Sequence, residues 1–366
     1  MNIFKKVNFL VMNWAIEALN KTHDEAPTNS EQMRARGGGS ASGSAGGEGA
    51  TRAPTILDFA VGGQAVIEGV MMRSPNNLTI AVRKADGTIK VKKKKFRTFT
   101  QRYKWLNVPI IRGVINLVEM MYVGSDAINY SAAESMDEEL AKDVKKSDKP
   151  SLLAKIGFVA MYAFSFILAI GMSLSLFKLI PLWVTTWLAS HSSYIDSHYI
   201  VFNLIDGVIK MAIFLSYIFI LSRFESFHRI FEYHGAEHKS IFNYESHEPL
   251  NVANAKKQIR FHPRCGTSFI LVVFIISILF YTFVPKQPDF WSNFSLRLAL
   301  LPLIAGISYE YLKLSAKHAN NPIVKALIAP GLWFQRLTTQ EPDEKQLAVG
   351  LQSLQAALEM EKAGSR

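Results

Sequence analysis

Two imidazoles and a carboxylate lie within one five-residue stretch of this chain, at His234, Glu237 and His238. Residues four apart lie on one face of a helix, about one turn from each other, so both imidazoles could contact a single ion. The H-x-x-E-H order is that of inverted zinc-peptidase helices. It predicts a metal site in which the two histidines are ligands and Glu237 is the catalytic base that activates water.

A second pair of ligand types follows at His262 and Cys265, the only cysteine of the chain. Nitrogen and sulfur ligands suit zinc or another transition metal better than calcium or magnesium. If all four side chains bind the metal, the site is closed and structural. If His262 or Cys265 does not bind the metal, one coordination position is open and hydrolysis becomes possible. A metal-free histidine cluster, hydrogen-bonded to Glu232, Glu237 and Tyr233, is the alternative.

Other charged side chains could line or orient this site. Glu68, a second candidate catalytic carboxylate, lies in a segment with three glycines in eight residues, 62–69. Glycine permits a positive φ or a close backbone approach, as a site-lining loop requires, although a bulge at a strand end is the plainer interpretation. Glu310 could ligate or orient a ligand, or pair with Lys313 or Arg264. Glu232 and Arg264 complete the set of candidates beside the metal.

The composition indicates a membrane protein. The chain has 366 residues, 49% of them hydrophobic, with a mean hydropathy of +0.11. The apolar residues concentrate in four blocks, 156–177, 199–221, 267–284 and 294–312, each near the ~20 residues that cross a bilayer. We therefore predict an α-helical multi-spanning protein with about four transmembrane helices and a small cytoplasmic α/β portion. A single cysteine excludes an intrachain disulfide, so no oxidising compartment is implied.

The charges between these blocks predict their orientation. Lysine and arginine are dense before the first block, between the second and third, and after the fourth, whereas 181–198 has none and 285–293 has one. The positive-inside rule then places both termini on the cytoplasmic side of the cell membrane. The two His/Cys clusters and Glu68 would share that compartment.

Two charges interrupt the second predicted span, Asp206 and Lys210. Each would cost roughly 2.5–3.5 kcal/mol on the insertion scale, and an ion pair at i, i+4 facing the bundle interior would remove part of that cost. A polar path or substrate contact is the functional interpretation. A structural pair that holds the bundle together is the preferred one.

The chain divides into eight predicted segments. They are an N-terminal amphipathic helix or leader (1–19), a flexible Gly/Ser-rich linker (20–55), a β-rich cytoplasmic unit (56–104), an interfacial helix with a charged connector (105–150), spans one and two (151–222), a cytoplasmic His/Cys segment (223–266), spans three and four (267–315), and cytoplasmic C-terminal helices (316–366). Residues 85–87 are a hairpin turn signal. In the last segment Leu347, Leu351, Leu354 and Leu358 would lie along one helix face.

A basic tract, 90–104, contains eight lysines and arginines interleaved with aromatic residues. Attraction to anionic lipid explains this tract best in a membrane protein, at about 1 kcal/mol per basic residue. A solvated strand face ranks second, and nucleic-acid binding, despite the formal net charge of +11, ranks third. No feature of the sequence identifies a protein partner.

Several long motifs resemble the YqhQ-like family of bacterial membrane proteins. They are 62–73, 233–239, 262–269, 307–310 and part of 330–339. The resemblance covers roughly residues 58–358 and implies a multi-spanning protein of a kind described as predicted metal-dependent enzymes. It supplies no substrate and no established catalytic residue.

The leading hypothesis is therefore a membrane-anchored metal-dependent enzyme, most plausibly a hydrolase, with zinc on the cytoplasmic side. The alternative is a non-enzymatic membrane scaffold with a structural metal site. A transporter that uses Asp206 and Lys210 ranks third. Coordination number discriminates between the first two, because a catalytic metal keeps an open position and a structural metal does not.

Overall fold

The computed structural model of the protein describes residues 61–136, 152–318 and 321–364. Contacts divide the chain into a smaller unit, Met1–Asp58 with Ser147–Tyr162, and a larger unit, Phe59–Lys146 with Ala163–Arg366. Of the smaller unit, the described part is a helical stretch, 152–162. The predicted N-terminal helix (1–19), linker (20–55) and most of the charged connector lie outside the described residues. The fold below is that of the larger unit.

The predicted β unit is confirmed as one four-stranded antiparallel sheet in the order β1-β2-β3-β4. The strands are β1 (Gly62–Val66), β2 (Gly69–Arg73), β3 (Asn77–Arg83) and β4 (Ile89–Lys95). Gly87, in the predicted hairpin turn, has a φ of 85°, which a glycine adopts without strain. The segment around Glu68 is a β1–β2 hairpin with regular pairing and no bulge. Glu68 lies in its turn with a φ of 50°.

The described helices follow in chain order. They are α1 (Phe99–Arg102), α2 (Ile111–Glu134), α3 (Leu152–Leu174), α4 (Ile180–Ser190), α5 (Ser193–Ser197), α6 (Tyr199–Leu221), α7 (Glu225–Glu245), α8 (Val252–Lys257), α9 (Gly266–Thr282), α10 (Phe290–Ala299), α11 (Leu301–Lys317), α12 (Pro322–Thr338) and α13 (Glu344–Gly364). A π-helical stretch, Ser175–Leu179, joins α3 to α4.

Helices cover both faces of the sheet. Met71 and Ile80 pack with Val123 of α2 on one face. On the opposite face, Met72 packs with residues of α7 and α13, among them Leu354. Because alternate side chains of β2 and β3 point to opposite covered faces, the whole of Gly69–Met72 is buried, without the polar alternation of a solvated sheet.

The predicted leucine face of the C-terminal helix is confirmed in α13. Leu347 and Leu354 are fully buried, and Leu351 and Leu358 are nearly so. Spacings of three and four residues place these side chains in one stripe. The stripe contacts α7 and the sheet, and this contact ties the C-terminal helix to the elements that carry the candidate site.

Three helices in the described ranges are long and apolar enough to cross a membrane: Ala163–Ser190, Tyr199–Leu221 and Phe290–Ser315. The first lies further along the chain than the predicted 156–177, and the last extends the predicted 294–312 at both ends. The predicted span 267–284 corresponds to α9, an apolar helix whose 17 residues fall below this length criterion. At about 1.5 Å per residue it covers roughly 25 Å, less than the ~30 Å of a hydrocarbon core.

The basic tract lies partly in β4, where carboxylates already accompany three of its lysines. Lys90 pairs with Glu134 at 2.7 Å, and Lys93 pairs with Glu359 at 3.2 Å. Lys92 lies 3.9 Å from Asp126. These surface pairs neutralise part of the tract, and its attraction to anionic lipid stays a prediction.

Candidate metal centre

Two helices bring three candidate ligands, two imidazoles and a thiol, together. The histidines His234 and His238 lie one turn apart on α7, and Cys265 is the N-cap residue of α9. One ligand atom from each of these residues lies within 4.8 Å of the others, and all three side chains are buried. The helical spacing predicted for the imidazoles therefore holds, and the tertiary structure adds the thiol.

Hydrogen bonds orient both imidazoles towards this group. The Nδ1–H of His234 donates to the carbonyl oxygen of Thr338 (2.8 Å), and that of His238 donates to the carbonyl oxygen of Arg260 (2.5 Å). A carbonyl can only accept, so each Nε2 atom presents its lone pair to the centre. Metal-binding histidines in proteins are held in this way.

The two Nε2 atoms differ in their contacts. That of His234 lies 3.2 Å from the Sγ atom of Cys265. That of His238 is buried and has no hydrogen-bond partner among the described residues. A buried nitrogen without a partner costs free energy that a bound metal ion would recover. This unpartnered nitrogen, next to a second imidazole and a thiol, fits a borderline metal ion.

Burial also sets the protonation state that metal binding needs. Desolvation lowers the pKa of His238 from its usual value. The imidazole of His238 is therefore neutral near pH 7, and only a neutral imidazole ligates a metal.

Glu237 lies beside the same atoms. Its Oε2 atom is 3.8 Å from Nε2 of His234 and 3.9 Å from Nε2 of His238. Burial raises the pKa of this carboxyl, while His234, His262 and a hydrogen bond from the backbone N–H of Gly63 oppose the rise. A carboxyl in this position could exchange a proton with a group bound at the centre.

Strand β1 approaches Glu237 so closely that position 63 admits no side chain. A Cβ atom at Gly63 would lie 2.7 Å from Cγ of Glu237, whereas a Cβ atom at Gly62 would meet nothing within 4 Å. We expect Gly63→Ala to lower the free energy of unfolding by about 1–3 kcal/mol, as overpacking does. Gly62→Ala, the matched control, should stay within ~0.5 kcal/mol. Denaturant titration of both variants measures the difference, and equal losses would contradict the close approach.

His262 packs beside the group but points its nitrogens elsewhere. Its Nδ1 atom accepts from the backbone N–H of Arg264 (3.3 Å), and its Nε2 atom lies 3.4 Å from a carboxylate oxygen of Glu245. Burial lowers the pKa of His262 to about 4. The side chain of Gln335 bonds both the N–H and the C=O of His262, at 2.7 Å each. Sequence reasoning assigned Gln335 no role, although it lies in a motif that carried the resemblance.

The remaining candidate carboxylates have partners of their own. Glu310 forms a two-pronged ion pair with Arg112 of α2, rather than with Lys313 or Arg264. Glu232 accepts from Nε2 of Gln346 at 2.7 Å.

Two further residues that were predicted to line the site form ion pairs outside the group of His234, His238 and Cys265. The carboxylate of Glu68 accepts two N–H groups of Arg229 and the hydroxyl of Tyr233, the latter at 3.1 Å. Arg264 pairs with Glu245. Both ion pairs join α7 to neighbouring segments, and the catalytic role of Glu68 stays a prediction.

The predicted pair Asp206–Lys210 is confirmed, at 3.0 Å, with both side chains buried in α6. A third charge joins it, because Arg297 of α10 donates to the same Oδ2 atom of Asp206 and, at 2.5 Å, to Asn203. The hydroxyl of Tyr281 donates to the carbonyl oxygen of Arg297 at 2.7 Å. Sequence reasoning missed Arg297, although an arginine inside a predicted span was a visible signal.

Comparison with known proteins agrees with the motifs. The family model described as protein of unknown function (DUF1385) matches residues 108–360. The uncharacterized protein YqhQ of Bacillus subtilis (strain 168) is 35% identical over 311 residues, which cover 82% of this chain and 93% of that protein. No solved structure matches the chain. The protein therefore belongs to the YqhQ-like DUF1385 family, whose function is unknown.

Proposed function

We propose that this protein is a membrane-anchored, metal-dependent hydrolase whose zinc ion is held by His234, His238 and Cys265. The observation that carries the proposal is the three-ligand group itself, with the carboxylate of Glu237 next to both imidazole Nε2 atoms. Three protein ligands and one open position are the arrangement of catalytic zinc sites.

The separations of the ligand atoms support zinc. Tetrahedral bonds of about 2.0–2.3 Å place neighbouring ligand atoms roughly 3.3–3.6 Å apart. The Nε2 atom of His234 lies 3.2 Å from the Sγ atom of Cys265, which is close to that value. All three ligand atoms lie within 4.8 Å of one another. Small side-chain movements would therefore close the ligands onto an ion.

Each residue has a defined task in this proposal. A bound divalent metal would supply the Lewis acid that polarises the substrate and lowers the pKa of water. The histidines, fixed through their Nδ1–H groups, hold their Nε2 atoms in place. Glu237 would take a proton from the attacking water and return it to the leaving group.

We also propose that the site faces the cytoplasm. The sheet, α7 and α13 pack together, so these parts of the chain lie on one side of any membrane the protein crosses. The basic segments that flank the spans favour the cytoplasmic side. In this arrangement α9 also crosses the membrane. Its short length is compatible with crossing because α6 and α11 pack against it.

A closed structural metal site is the second candidate, and burial favours it. Glu237 is 4% exposed and His238 is 1% exposed, so a large substrate would reach them only after a local rearrangement. Glu237 would then supply the fourth ligand, and the metal would hold α7 and the start of α9 together.

Cobalt substitution separates the two functions. The full-length protein in detergent is loaded with Co²⁺, whose visible spectrum reports coordination number, and is then titrated with azide. An open catalytic site should bind azide and change its ligand-field bands, and Cys265→Ser should abolish the sulfur-to-cobalt charge-transfer band. Glu237→Gln should keep the metal and that band, because in our proposal Glu237 is a base and not a ligand.

The opposite results would overturn the hydrolase. A spectrum insensitive to azide in the wild type, together with changed ligand-field bands in Glu237→Gln, would identify Glu237 as a fourth ligand. The protein would then be a scaffold with a structural metal. His228→Ala, an exposed histidine on the same helix, is the control that should alter none of these spectra.

A further inference from the structure

A cavity with a volume of about 630 Å³ lies outside the metal centre. Its lining comes from five parts of the larger unit, one of which is Ser135 after the end of α2. The turn of the β1–β2 hairpin supplies Glu68, and the β3–β4 turn supplies Arg83 and Lys84. The start of α7 supplies Arg229, and the start of α13 supplies Lys345. Its volume lies within the range of small-molecule sites, roughly 300–1,000 Å³.

The charges around this cavity are unbalanced. Its lining includes four cations and one carboxylate. That carboxylate, Glu68, is already bound by Arg229 and Tyr233, and it raises the pKa of Arg229 above the usual value. Within the described parts of the chain, no carboxylate forms an ion pair with the side chains of Arg83, Lys84 or Lys345. Among the described residues, these three cations thus face one cavity without an ion pair, and Asp86, in the same turn as Lys84, is the nearest further carboxylate in the chain.

The backbone at Glu68 is held in an uncommon conformation. Its φ of 50° is in the left-handed region, which a non-glycine residue adopts only when its surroundings compensate the cost. The ion pair between the Glu68 carboxylate and Arg229 compensates part of this conformational cost. On the other, the carbonyl oxygen of Glu68 accepts the N–H of Arg83 at 2.8 Å. The strained turn therefore fixes two of the four cations at the cavity wall.

We propose that this cavity binds a phosphate ester, through Arg83, Lys84 and Lys345. A terminal phosphate carries about two negative charges and the phosphodiester of a lipid headgroup carries one, and both accept several charge-assisted hydrogen bonds from clustered cations. The planar guanidinium of Arg83 can bind two phosphate oxygens at once. The ligand is a free organic phosphate or the headgroup of a phospholipid. This inference does not rest on the metal centre.

Binding is measured on the full-length protein in phosphatidylcholine nanodiscs, prepared without added metal. ATP is the probe for free organic phosphates, and dihexanoyl-phosphatidylglycerol is the probe for headgroups. We expect calorimetry to detect at least one of them, and the tighter of the two identifies the source. Arg83→Gln/Lys345→Gln should weaken binding about tenfold or more, since each loses a charge-assisted hydrogen bond.

The control variant is Lys94→Gln/Lys95→Gln, which removes the same charge from β4, away from the cavity. It should bind within about twofold of the wild type. If the double variant in the cavity unfolds, Lys345→Glu replaces it, because this exposed residue at the start of α13 can change without disturbing the core. Equal weakening in cavity and control variants would show diffuse attraction and overturn the proposal, as would a wild type that binds neither probe.

Discussion

Replacing His234 or Cys265 by alanine is expected to remove the bound metal, lowering its content from about one ion per chain to nearly none. Each change deletes one of three ligands, and two ligands hold a divalent ion too weakly to survive purification. The loss should exceed the 10–100-fold weakening that follows removal of a residue that only orients a ligand. Elemental analysis of purified wild-type and variant proteins measures this directly.

Two other histidines provide the comparison. His228 is exposed on the same helix, so His228→Ala should keep the full metal content. His262 packs next to His238 but directs its nitrogens at Arg264 and Glu245, so His262→Ala should keep an ion at reduced affinity. A wild-type protein without metal would end the proposal. Unchanged content in both His234→Ala and Cys265→Ala would show that other residues are the ligands.

The second large effect is expected at the buried ion cluster, where Asp206→Asn should lower the free energy of unfolding by about 3–5 kcal/mol. Asp206 is the counter-charge for both Lys210 and Arg297, and all three side chains are at most 6% exposed. With the carboxylate gone, two buried cations would repel each other without compensation.

A matched exposed carboxylate tests the reason for this effect. Asp196 pairs with Lys286, and its side chain is 60% exposed, so Asp196→Asn should cost about 0–1 kcal/mol. Replacing Asp206, Lys210 and Arg297 together by leucine should cost less than Asp206→Asn alone, because no buried charge then remains. Denaturant titration followed by tryptophan fluorescence measures all three variants. Similar losses at Asp196 and Asp206 would refute the buried-charge explanation.

Local periodicity was enough to predict several features. The spacing of His234 and His238 placed both imidazoles on one helical face, because the helix repeats every 3.6 residues whatever surrounds it. The leucine stripe of α13 follows from the same helical period. The hairpin turn at Gly87 follows from another local property, the ability of glycine to adopt a positive φ. The pair Asp206–Lys210 was also predictable, since its members are one turn apart.

Contacts between distant parts of the chain were not predictable in this way. Arg297 reaches Asp206 across 91 positions, and Glu310 pairs with Arg112 across 198. The predicted third span ended at residue 284, two positions beyond the observed end of α9 at Thr282. Composition reports hydrophobicity, whereas the end of a helix depends on backbone hydrogen bonds and packing.

By itself, the sequence determined the family, the predominance of apolar helices and the residue types available to hold a metal. The tertiary structure decided that Cys265, and not His262, completes the three-ligand group with His234 and His238, and that strand β1 contacts Glu237 through Gly63. The physical reason is that side-chain type and helical period are local properties, while the meeting of α7, α9 and β1 depends on how these elements bury their apolar faces against one another.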